Sequence, residues 1–71
     1  MYKKILLEKL RKIFEAYQAS FKESEHRLTL CLEGEPTNLF FLKNNLPSDV
    51  QEVQDCVDYC VDYLTNLGYK V

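Results

Sequence analysis

The feature that most constrains this chain is a change of period in its middle. From Arg27 to Glu33, "RLTLCLE" alternates strictly, with Leu28, Leu30 and Leu32 on one side and Arg27, Thr29, Cys31 and Glu33 on the other. A period of two marks a half-buried strand. "GEPT" follows, where Gly34 admits positive φ and Pro36 cannot donate to a ladder. "NLFFLK" then reads as a second strand, apolar on both sides. With Gly34–Thr37 as the loop of an antiparallel hairpin, Leu32 is expected opposite Leu39 and Leu30 opposite Phe41.

On either side of the hairpin the helical period returns. Residues 2–24 contain no Gly or Pro, and at about 100° per residue Tyr2, Leu6, Leu7, Leu10, Ile13, Phe14, Tyr17 and Phe21 share one arc. Lys4, Glu8, Arg11, Lys12, Glu15 and Lys22 fill the other side. After the loop "KNNLPS", Ser48 as N-cap with Gln51 fits a capping box, and Asp49 and Glu52 suit the positive end of the helix dipole. Val50, Val53, Val57, Cys60, Leu64 and Leu67 follow at 3-4-3-4-3 spacing, and Gly68 is the expected terminator. The fold expected is α+β: a two-layer α-β-β-α arrangement of residues 1–71 as a single domain. In it, two amphipathic helices pack on one face of an antiparallel β-hairpin.

With 71 residues, the chain buries only about 60% of its unfolded surface, and a core this small rarely supplies more than ~3–5 kcal/mol. Such a domain needs a staple. Three cysteines is an odd number at no framework spacing, so the thiols are expected to be free in a reducing, cytoplasmic compartment. "MYKKILLEKLRKIF" is broken by charge every few residues, unlike a signal-peptide core or a membrane span. The remaining staple is a second copy. The hairpin face away from the helices would carry Thr29, Cys31, Phe40 and Leu42, where an uncovered sheet shows polar residues. These four are the expected interface of a homodimer, in which the second copy extends or covers the sheet.

The last helix contains a tandem unit, "CVDYCVDY", at residues 56–63. A four-residue repeat advances about 400° on a helix, so it draws stripes rather than one cluster. Cys56 and Cys60 fall on the apolar arc, where free cysteine behaves as a small hydrophobe. A thiol or metal role for the pair would need Cys31, with or without His26, to complete it; the spacing is not that of zinc or redox motifs. His26 has no nucleophile motif beside it and reads as a turn residue. No phosphate loop, metalloprotease or calcium-loop motif is present, and no cofactor is expected. Enzyme is the weakest class.

The outer stripe carries the functional expectation. Glu52, Asp55, Asp58 and Asp62 line one face with Tyr59 at its side, and no Lys or Arg interrupts them. Like charges at i, i+4 repel, and a basic protein partner would relieve them. The expected function is a small protein-interaction module, an adaptor or modulator. The first alternative is a nucleic-acid-associated regulator using Lys4, Arg11, Lys12 and Lys22. Interleaved Glu8 and Glu15 and a pI near 5.3 weigh against that footprint. The second alternative is the thiol or metal site at Cys56 and Cys60.

Overall fold

The computed structural model describes residues 2–71. Helix α1 spans Tyr2–Ile13, strands β1, β2 and β3 span Ser20–Glu23, Arg27–Leu32 and Glu35–Leu42, and helix α2 spans Val50–Asn66. The strands form one antiparallel sheet in the order β1-β2-β3, and the core lies between its one face and both helices. This is the expected α+β architecture with one strand more than the hairpin. Among the described residues, no helix is long and apolar enough to cross a membrane.

The added strand comes from the segment read as the end of the first helix, and this corrects the 2–24 boundary. Leu6, Leu10 and Phe14 are fully buried, so the helical arc holds that far, while Ile13 stays exposed. The chain then tightens into a 3-10 turn at Glu15–Tyr17, and Gln18 adopts φ 54°, the left-handed region that ends a helix. The amide of Ala19 closes the turn on the carbonyl of Phe14 at 3.4 Å. Beyond it the chain is extended. Tyr17 and Phe21 fit a helical arc as Phe14, Tyr17, Phe21, yet with Ala19 they also fit a period of two. The second reading wins because β2 offers its free side for pairing: Phe21 lies opposite Leu30 and Lys22 opposite Thr29.

The hairpin is also tighter than expected. Its loop is the pair Glu33-Gly34 alone, at φ 55° and φ 81°, and Leu32 pairs with Glu35. Two consecutive positive φ values describe a type I′ turn, whose twist matches that of the flanking strands. Pro36 therefore lies within β3, opposite Cys31, at an edge position that needs no donor. Leu30 does not face Phe41, nor Leu32 Leu39; Phe41 faces Leu28. Between the Cys31–Pro36 and Thr29–Phe40 pairs, Thr37, Asn38 and Leu39 oppose Leu30 alone. One side chain bridges this bulge. The Thr37 hydroxyl donates to the Leu30 carbonyl at 2.7 Å and accepts from the Leu39 amide at 3.2 Å, linking the two strands across the irregularity.

Leu28, Leu30, Leu32 and Leu39 of the sheet are buried with Leu6, Leu10 and Phe14 of α1 and Val53, Val57, Cys60 and Leu64 of α2. Each large side chain so buried contributes about 1.5–3 kcal/mol. At one end, Glu23 on β1 receives Lys43 from beyond β3 at 2.6 Å and lies 3.7 Å from Lys3 of α1. At the other end, the Tyr17 hydroxyl accepts the Lys70 amide at 2.7 Å and its ring meets Tyr69 edge-on at 5.0 Å.

Candidate functional site

Helix α2 begins one residue later than the Ser48 cap predicts. Asp49 is the N-cap, its Oδ1 accepting the Glu52 amide at 2.8 Å. Glu52 in turn accepts from the Ser48 hydroxyl at 2.9 Å and the Ser48 amide at 3.2 Å. The N-cap is therefore Asp49, not Ser48 with Gln51, and Glu52 reaches back past it to Ser48; the carboxylate cap suits the dipole's positive end. At the other end, Gly68 at φ 109° reverses the chain, and the Tyr69 amide bonds to the Leu64 carbonyl at 3.0 Å.

The "CVDYCVDY" repeat separates into an inner and an outer face, as its stripes require. Val57 and Cys60 are buried with Val53 and Leu64, while Cys56 and Val61 are half-buried on the flanks. Val50 and Leu67, the ends of the expected apolar stripe, are instead 65% and 60% exposed. Burial pushes the Cys60 thiol up to about 12, with Cys56 adding to the effect. Burial also raises Cys56, helped by the carboxylates of Asp55 and Glu52. Both thiols are thus held away from the thiolate that metal binding or nucleophilic attack would use. Cys31 lies on the opposite face of the sheet, beside Thr29, so the three thiols do not converge. Among the described residues, no group of three or more His, Cys, Asp or Glu side chains is placed to hold a metal.

The outer face of α2 presents Asp55, Asp58, Tyr59 and Asp62, all exposed. Gln51 donates to Asp55 at 3.0 Å and Gln54 to Asp58 at 2.9 Å, each one helical turn away. These amides orient the carboxylates without neutralising them. Among the described residues, every ion pair lies elsewhere, at Glu23 with Lys3 and Lys43, and His26 sits 3.8 Å from Glu25. Tyr59 and Tyr63 stack at 6.4 Å beside the stripe. Glu52 belongs first to the cap, and the stripe proper is Asp55, Asp58 and Asp62.

The second candidate surface is the helix-free face of the sheet. Register places Thr29 beside Phe40 and Arg27 beside Leu42 there. Phe40 and Leu42 are 46% and 44% exposed, Thr29 is half-buried, and Cys31 is buried, its Sγ 3.8 Å from the Thr29 carbonyl. Arg27 caps the Phe40 ring, its guanidinium 4.5 Å from the centroid. Alternation put Arg27 on this face, but only the register brings it to Phe40. Lys22 joins the same face from β1 and so leaves the basic ridge of the first helix, which weakens the nucleic-acid footprint. His26 is an exposed turn residue between β1 and β2, 3.8 Å from Glu25. Comparison with protein families, with curated proteins and with solved structures found no match for this chain.

Proposed function

We propose that this chain is a small, non-enzymatic protein-interaction module that works as a homodimer and engages a basic partner through the outer face of α2. The observation that carries the reading is the unrelieved charge of Asp55, Asp58 and Asp62. They are exposed and without a cation within 4.0 Å among the described residues, although α1, with its five cations, packs beside α2. A basic surface docking there removes like-charge repulsion, and Tyr59 adds an aromatic anchor of the kind enriched at interfaces. The contact is steered by charge, so it weakens as salt shortens the Debye length from about 10 Å at 0.1 M.

The test compares the parent with Asp55/Asp58/Asp62→Asn, a variant that removes charge and keeps side-chain shape. Both are used to retain proteins from an extract of the source cells at low salt. The reading expects basic proteins held by the parent, released by salt and absent from the variant. Identical sets retained by both chains would end it. The homodimer is checked separately by sedimentation at micromolar concentration, where a stable monomer removes that half of the proposal.

A further inference from the structure

We infer that the second copy joins through the outer edge of β3, about a two-fold axis at Phe40, so that two three-stranded sheets continue as one of six strands. This rests on the homodimer reading above and specifies its geometry.

The backbone supplies the first argument. Lys43 donates to the His26 carbonyl at 2.9 Å, and Arg27 lies opposite Leu42. In an antiparallel ladder the hydrogen-bonded and non-bonded pairs alternate. His26 with Lys43 and Leu28 with Phe41 are therefore the bonded pairs, and Phe40 and Leu42 turn their amides outward, away from β2. Asn45 already occupies the Leu42 carbonyl at 3.0 Å, which leaves the Phe40 carbonyl and amide and the Leu42 amide for a new strand. With a two-fold axis at Phe40, Phe40 exchanges both bonds with its own copy, and each Leu42 amide meets the other chain's Asn38 carbonyl, which points away from β2 because the Leu39 amide of the same peptide turns inward to the Thr37 hydroxyl. An axis at Phe41 would instead direct the Phe40 amide onto the occupied Leu42 carbonyl.

Side-chain chemistry favours the same edge. Residues 36–42 carry no ionised side chain, and the charge nearest the axis is the Arg27 guanidinium over each Phe40 ring. The opposite edge, β1, has four residues and carries Lys22 and Glu23, a charged short edge that discourages pairing. Pro36 protects the start of β3, and the stretch from Asn38 to Leu42 carries no proline or charge. The exposed side chains of Phe40 then meet across the axis on the helix-free face. The contact is isologous and stops at two copies.

Amide hydrogen exchange read across a concentration series tests the geometry. The Phe40 and Leu42 amides are expected to exchange about tenfold faster for each hundredfold dilution above the dissociation constant, as mass action on a dimer requires. The Leu28 and Phe41 amides, bonded within one chain, should not follow. A dimer whose Phe40 and Leu42 amides exchange freely at every concentration overturns edge pairing in favour of face-to-face packing and leaves the homodimer reading standing. A monomer overturns both. Phe40→Pro provides a second arm, because an outward amide is one the inner ladder does not use. Folded and monomeric is the expected result, and a folded dimer overturns the proposal. If that variant fails to fold, the exchange series on the parent decides alone.

Discussion

The Thr37 hydroxyl bridges the β3 bulge to β2, so its removal can be worked through from geometry. In Thr37→Val the side chain keeps its shape and loses two hydrogen bonds, at 2.7 Å to the Leu30 carbonyl and 3.2 Å from the Leu39 amide. Each is worth about 1 kcal/mol net, and each partner left unpaired in a buried site would cost about 1–3 kcal/mol. Thr37 is half-buried, so water reaches part of the bulge and the lower end applies. The expected loss is about 2 kcal/mol. A chain of 71 residues has roughly 4–10 kcal/mol in all, so this is a substantial fraction. In urea, with a slope of about 1 kcal/mol per molar, the midpoint should fall by about 2 M at unchanged slope. All melts are run at one protein concentration, because a dimer's midpoint depends on it. Thr37→Ser keeps the hydroxyl and should stay within about 0.5 kcal/mol of the parent. A Val variant as stable as the parent, or a Ser variant as damaged as the Val variant, would refute the relay.

Three further predictions follow from the ionisable and capping groups. Cys60 stays protonated up to about 12, while the unfolded thiol titrates near 9.0, so the unfolded state alone loses the proton between these values. Stability should therefore fall as pH rises through that window, by up to about 1.4 kcal/mol per pH unit, and Cys60→Ala should flatten the slope; an unchanged slope refutes it. The hydrogen bond from Lys43, with Lys3 nearby, holds Glu23 below the ordinary 4.5, so its contribution is present above 4.5 and lost as pH falls through the lowered value. Carboxyl-carbon NMR should show that midpoint returning toward 4.5 in Lys43→Met, and no movement would dismiss the pair. Asp49→Ala should cost about 1 kcal/mol in a urea melt and Ser48→Ala less; the reverse order would restore Ser48 as the cap.

The layers of this fold were legible because their periods are unmixed. Leu28, Leu30 and Leu32 alternate without exception, and Val53, Val57, Cys60 and Leu64 follow a helical stripe, so β2 and α2 could be read from spacing alone. The stretch from Phe14 to Phe21 satisfies both periods, and Gln18, the residue that turns it, is not one whose chemistry announces a left-handed conformation. Which period wins there depends on β2 having an unpaired side, a tertiary fact. The hairpin register failed for a similar reason. Pro36 suggests a loop wherever the edge status of its strand is unknown, and a hydroxyl bridging two strands has no pattern in sequence. Of the candidate sites, the acidic stripe needed only helical geometry. Arg27 over Phe40, and the outward amides of β3, needed the register.

The order in which these elements are synthesised has a consequence of its own. The three strands are sequential neighbours and pair through local turns, so the meander is complete by Leu42, before any of α2 has been made. Yet Val53, Val57, Cys60 and Leu64 are four of the seven buried helix-side residues of the core. A growing chain thus passes through a stage in which a finished sheet has one helix, an uncovered row of leucines and an open β3 edge. Contacts local in sequence form fast, so the sheet must wait for its cover rather than the reverse. At that stage strands of neighbouring nascent chains compete with α2 for the same surface, and crowded translation of this message is where misassembly should begin.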